Sequence, residues 1–69
     1  MKFRIVSYRR GNIMDIGEAI NADGIKKFTD ERPNADSFKA YPHNDLNVFL
    51  TGYRVTSKDP VHWQKRSKI

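Results

Sequence analysis

The stretch Asp15-Ile16-Gly17-Glu18-Ala19-Ile20-Asn21-Ala22-Asp23-Gly24-Ile25-Lys26-Lys27-Phe28 carries the helical signals of this chain, so its reading decides the fold. Asp15 and Glu18 have the spacing of a capping box, in which the first side chain accepts from a helical amide and the fourth reaches back to the cap. A helix over residues 16–22 would put Ile16, Ala19 and Ile20 on one face. At about 100° per residue, Ile25 and Phe28 fall roughly opposite that face. The apolar phase therefore breaks at Asn21-Ala22-Asp23-Gly24, where Gly24 suits a left-handed helix-ending position. The expectation is a short helix over 16–22 followed by a second turn or helix over 25–30, with a single bent helix as the alternative. Pro33 then disfavours helix at Arg32 and ends the region.

On the N-terminal side, residues 2–10 alternate. Phe3 and Ile5 share one face, and Lys2, Arg4, Tyr8 and Arg10 share the other, which reads as a half-buried strand ending in a Gly11-Asn12 turn. On the C-terminal side, residues 37–41 alternate weakly, Pro42-His43-Asn44-Asp45 is dense in turn formers, and residues 46–51 alternate again. Together these predict a β-hairpin with a four-residue loop. Leu46, Val48 and Leu50 are apolar at even positions, whereas Tyr53 and Val55 are apolar at odd ones. The change of face at Gly52 reads as a β-bulge. Asp59 and Pro60 suit the cap and first residue of a short C-terminal helix, the alternative being a flexible basic tail over 57–69.

These readings add up to an α+β fold. A small three-stranded sheet in β-α-β-β order packs on one short or bent helix, within a single domain spanning 1–69. The expected core is Phe3, Ile5, Ile16, Ile20, Phe28, Phe38, Leu46, Val48, Leu50, Tyr53 and Val55.

Composition narrows the function classes. The 69 residues include no cysteine, which excludes disulfides and thiolate metal sites. A core this small benefits from a partner or from self-association, so a homodimer is compatible with it. No signal-peptide core and no membrane span is present, and the expected compartment is the cytoplasm. The net charge of +5 is uneven. Residues 1–12 hold four bases and no acid, residues 13–51 hold four bases and seven acids, and residues 52–69 hold five bases and one acid. Basic ends around an acidic middle are the footprint of an anionic partner.

Motifs for chemistry are sparse. Asn21-x-Asp23-Gly24 with Asp30 matches part of a calcium loop, but Ala19 and Lys26 occupy positions that such a loop needs otherwise. His43 and His62 lack a metal-binding spacing. An acid–base role for His43 in RNA cleavage, with His62 or Lys58 as partner, ranks below a plain turn histidine. Nucleophile motifs, phosphate-cradling glycine loops, and helix-turn-helix, zinc-finger and RNA-binding signatures are absent. In size and lack of motifs the chain resembles the short accessory proteins of phages and prophages, a likeness that assigns no residue a role. No catalytic residue, metal ligand or cofactor is expected.

The leading expectation is a non-enzymatic protein that contacts nucleic acid or a ribonucleoprotein through its basic ends. Lys2, Arg4, Arg9, Arg10, Arg54, Lys58, Lys65, Arg66 and Lys68 would neutralise phosphates, and Tyr8 and Trp63 would stack on bases. This surface requires the first and last strands to be neighbours. The alternative is a protein-binding inhibitor or adaptor that uses the acidic middle and exposed aromatics.

Overall fold

Alternation with period 2 governs more of the chain than the capping-box spacing suggests. In a computed structural model describing residues 2–45 and 47–67, the elements are β1 (Phe3–Arg9), β2 (Asn12–Ala19), α1 (Ala22–Asp30), β3 (Ser37–Pro42), β4 (Val48–Tyr53) and β5 (His62–Ser67). They form one antiparallel five-stranded sheet in the order β2-β1-β3-β4-β5 with a single helix, which replaces the expected three-stranded sheet.

The first correction concerns the expected helix over 16–22: residues 16–19 are the second half of β2, and α1 begins only at Ala22. Arg10 and Gly11 both adopt positive φ, 52° and 83°. This is the backbone signature of the tight hairpin turn whose twist matches its strands. The returning chain pairs Asp15 with Ser7, Gly17 with Ile5 and Ala19 with Phe3. Small Gly17 and Ala19 thus face inward, where the helix needs room. A Cβ on Gly17 would sit 2.5 Å from the Phe28 ring. The helix starts later, capped by Asn21, whose side chain accepts from the Gly24 amide at 2.8 Å. Gly24 therefore lies in the first turn of α1 and does not end a helix.

The predicted β3–β4 hairpin is present, with β3 extended to Pro42 and β4 beginning at Val48. Gly52 is not a bulge. It pairs in unbroken register with Phe38 on one side and Trp63 on the other. Its missing side chain makes room for neighbours, since a Cβ there would meet Val61 at 2.6 Å and Trp63 at 2.8 Å. The register shift falls instead in the β1–β2 pair, between Ser7 and Tyr8. The expected C-terminal helix or tail is strand β5, which pairs with β4 over its whole length.

Inward-facing Ile5, Phe38 and Ala40 join Ala19, Ile25, Phe28 and Ala35 in the buried core, with Phe3, Leu50, Val61 and Trp63 packed around it. Phe38 is the hub, with its ring 6.4 Å from Phe28 in edge contact and 6.3 Å from Trp63. Of the expected core, Ile16, Ile20, Tyr53 and Val55 are exposed, Val48 is half-buried, and Leu46 lies outside the described residues. Because Gly52 does not shift the phase, Tyr53 stays on the face opposite Leu50.

Among the described residues no helix is long and apolar enough to cross a membrane. No group of three or more His, Asp or Glu among them is placed to hold a metal ion.

Candidate nucleic-acid interface

The helix covers one face of the sheet, and among the described residues no element packs across the other. Strand register arranges this open face in rows. One row runs from Glu18 on β2 through Arg4, Tyr41 and Phe49 to Arg66 on β5. The next contains Ile16, Val6, Lys39, Thr51 and Gln64, and the third contains Ile13, Tyr8, Ser37, Tyr53 and His62. Cross-strand neighbours on one face stand about 5 Å apart, so the rings in each row can touch.

They do so in two pairs. Tyr41 stacks on Phe49 with centroids 5.6 Å apart and planes 22° from parallel. Tyr53 lies against His62 at 5.7 Å. The Lys39 ammonium lies 5.4 Å from the centre of the Tyr8 ring. Burial pushes the Tyr41 hydroxyl above its ordinary pKa against the pull of Lys39, with a hydrogen bond to Tyr8 adding to the rise. The group therefore stays protonated at neutral pH. Arg66 donates to the Gln64 side chain at 2.9 Å, which holds its guanidinium over the β5 end of the face.

Charge separates in the same way. The three rows contain Arg4, Lys39 and Arg66 against one acid, Glu18, at the β2 edge. Asp23 and Asp30 lie on the helix, on the other side, and Asp15 faces inward. The Asp15 carboxylate accepts from Arg32 at 2.8 and 3.0 Å, and Arg32 also caps the Phe28 ring at 3.6 Å. The Arg32 hydrogen bonds, helped by the Ile16 amide, hold the Asp15 carboxyl below its usual pKa.

The residues expected at the interface scatter. β1 and β5 are not neighbours, because β3 and β4 lie between them, so the basic ends form no continuous surface. Arg4, Tyr8 and Arg66 do share the open face, with Lys2 at its margin. Arg9 ends β1 and Arg10 lies in the β1–β2 turn, where its amide donates to Asp36 at 3.0 Å. Arg54 is 5% exposed and structural. It donates to the carbonyls of Ala35 and Arg32 and lies over Phe38. Trp63 packs inward against Phe38, and Lys65 shares its face. Lys58 lines a groove of about 680 Å³ on the helix side, whose apolar wall is Ile25, Leu50, Val61 and Trp63. Lys68 lies outside the described residues. The partial calcium pattern resolves into a helix cap at Asn21 and an ion pair of Asp30 with Lys26 at 2.6 Å. His43 and His62 sit at opposite ends of the sheet, about 20 Å apart by strand rise, so they form no pair.

Sequence reading leaves Lys39, Tyr41, Phe49 and His62 out of the interface, and assigns Tyr53 to the core. The signal was available, since all but His62 occupy odd positions of β3 and β4, opposite Phe38, Ala40 and Leu50. A bulge at Gly52 would turn Tyr53 inward, whereas the unbroken register keeps it outward. Compared with family models, curated proteins and solved structures, the chain matches none.

Proposed function

We propose that the open sheet face binds single-stranded nucleic acid. The observation that carries the reading is the joint presence of aromatic rings and cations, with one acid among them, on a face that no described element covers: Tyr8, Tyr41, Phe49 and Tyr53 with Arg4, Lys39 and Arg66. Aromatic side chains stack on unpaired bases irrespective of sequence, and Lys and Arg neutralise the phosphates between them. A broad sheet with its rings set among strands suits splayed bases better than a closed duplex, whose bases already stack on one another.

Anisotropy titrations with fluorescent single-stranded DNA and RNA, and with the matching duplexes, test this. Binding is expected to favour single strands and to weaken steeply with salt. Phe49→Ala is expected to weaken it about 5- to 100-fold, the range of one lost stacking platform. Flat titrations at low salt, or equal affinity for duplex, would overturn the reading.

A protein partner is the second reading. It is favoured by the exposed apolar side chains along and just after β2, namely Ile13, Met14, Ile16 and Ile20, since clustered exposed apolar groups mark contact surfaces. A pulldown with and without nuclease separates the two, because a protein partner survives nuclease and a nucleic-acid bridge does not.

A further inference from the structure

At one corner of the open face, two basic side chains, Lys2 and His43, hold a single carboxylate, Glu18, and Arg4 stands next to it in the strand register. Lys2 precedes β1, Arg4 and Glu18 are register partners on β1 and β2, and His43 follows the last residue of β3. The His43 amide donates to the Lys2 carbonyl at 2.9 Å, which ties the turn after β3 to the start of β1. The Glu18 carboxylate then lies 3.3 Å from the Lys2 ammonium and 3.7 Å from His43 Nε2. Beside it, Arg4, Tyr41, Pro42 and His43 line a recess of about 420 Å³. Tyr41 forms one wall of that recess and also stacks on Phe49.

An ion pair between half-exposed groups contributes little to stability, about 0.2–1 kcal/mol. Its position is the informative feature. Glu18 is the one acid among the three rows, and its oxygen sits between two cationic or N–H-bearing groups. Tyr41, half of the Tyr41–Phe49 stack, is the register partner of Arg4, so this corner adjoins the ring pair.

We propose that Lys2, Arg4 and His43 form a phosphate subsite and that Glu18 is its resident anion, displaced when a nucleotide phosphate arrives. The proposal deepens the nucleic-acid reading and rests on it for the identity of the ligand, a nucleotide unit whose base stacks at Phe49. Arg4 offers the planar fork that suits two phosphate oxygens, while Lys2 and His43 donate from the flanks. Glu18 thereby sets a threshold, because an anion that cannot outcompete the carboxylate does not occupy the corner. The displacement is an exchange of partners and forms or breaks no covalent bond.

The test titrates inorganic phosphate into the full chain, following backbone amide signals by NMR, and in parallel titrates a labelled single-stranded oligothymidylate. Glu18→Gln removes the competing charge and keeps the shape. Glu31→Gln, at the end of the helix, makes the same change in net charge away from the open face. Phosphate is expected to move the Lys2, Arg4 and His43 amides. Glu18→Gln is expected to tighten phosphate and oligonucleotide binding about two- to fivefold, the range of an exposed ion pair, with Glu31→Gln close to the parent chain. Adding His43→Ala is expected to remove the gain. Equal effects of Glu18→Gln and Glu31→Gln would reduce the result to net charge and overturn the subsite, as would phosphate shifts scattered elsewhere. Normal oligonucleotide binding unaffected by Glu18→Gln overturns the subsite and leaves the nucleic-acid reading standing. Phosphate binding at the corner with no oligonucleotide binding supports the subsite as an anion site and overturns the nucleic-acid reading.

Discussion

The two faces of the sheet are built from alternate residues of the same five strands, yet they obey different constraints. The packed part of the inner face includes Ile5, Gly17, Ala19, Phe38, Ala40, Leu50, Gly52 and Trp63, in which each side chain's size is set by what it meets. Gly52 is small because Trp63 and Val61 fill its space, and Gly17 is small because Phe28 does. The outer face carries rings just as large, but they pack on each other along the sheet surface and no described element covers them. Packing explains every residue of the first set. It leaves unexplained why a small chain keeps Tyr8, Tyr41, Phe49 and Tyr53 partly or fully exposed, which the proposed ligand for that face would account for. The comparison predicts that substitutions on the inner face cost stability, whereas substitutions on the outer face cost binding.

The largest effect is expected at Phe38. Truncating a fully buried phenylalanine to alanine costs about 3–5 kcal/mol. A chain of this size has a total stability of the same order, about 3–10 kcal/mol. Phe38→Ala is therefore expected to lower the melting temperature by at least about 12 °C or to leave the chain unfolded. Thermal melts by circular dichroism read this directly, with Phe49→Ala as the partner measurement, expected to shift the melt far less while weakening oligonucleotide binding. If Phe49→Ala destabilised as much as Phe38→Ala, the two faces would not be distinct.

Two arginines sharpen the contrast because the residue type is held constant. Arg54 is buried behind Phe38 and satisfies the carbonyls of Ala35 and Arg32. Arg66 lies exposed beside Phe49. Arg54→Met keeps the length and removes the donors, leaving two carbonyls short of a partner at a cost of about 1–3 kcal/mol. Its affinity for single strands, measured below its melting temperature, is expected to stay within twofold of the parent chain. Arg66→Met is expected to leave the melt unchanged and to flatten the salt dependence of binding by about one phosphate contact. A loss of binding with Arg54→Met in a folded sample would contradict the division of labour.

The same division explains what could be read without the structure. Strands β1, β3 and β4 were legible because Phe3 and Ile5, Phe38 and Ala40, and Val48 and Leu50 alternate with polar or aromatic partners. Strand β2 was hidden because its inward set is Asp15, Gly17 and Ala19, which contains no large apolar residue. Its meaning depends on Phe28, eleven residues further on, filling the space above Gly17. Strand β5 was hidden because an edge strand here needs only one inward ring, Trp63, and the rest of His62–Ser67 is polar or basic. The interface followed the same logic. Charge counting found Lys2, Arg4 and Arg66, but it also gathered Arg54, whose burial depends on contacts with residues 32 to 38. The aromatic half of the interface required the correct face at Gly52, which pairing with Phe38 and Trp63 determines and local alternation does not.

The smallest effect is expected where the helix meets β2. Arg32 bridges the two, holding Asp15 by two hydrogen bonds and lying over Phe28. These bonds lower the folded-state pKa of Asp15 below its unfolded value. A depressed carboxylate pKa contributes stability that is fully present above the unfolded value, near 4 for aspartate. That stability is lost as pH falls through the lowered value, because the unfolded chain then takes up the proton first. Since Asp15 is solvent-exposed, the contribution is screened and modest. Asp15→Asn is thus expected to melt slightly below the parent chain at pH 6. The gap should close as both are brought to about pH 2.5, while Arg32 keeps its place over Phe28 throughout. A gap of constant size across that range would mean that Asp15 acts through its shape or its hydrogen bond to Ile16, and that the charge joining helix to strand contributes nothing to the covered face.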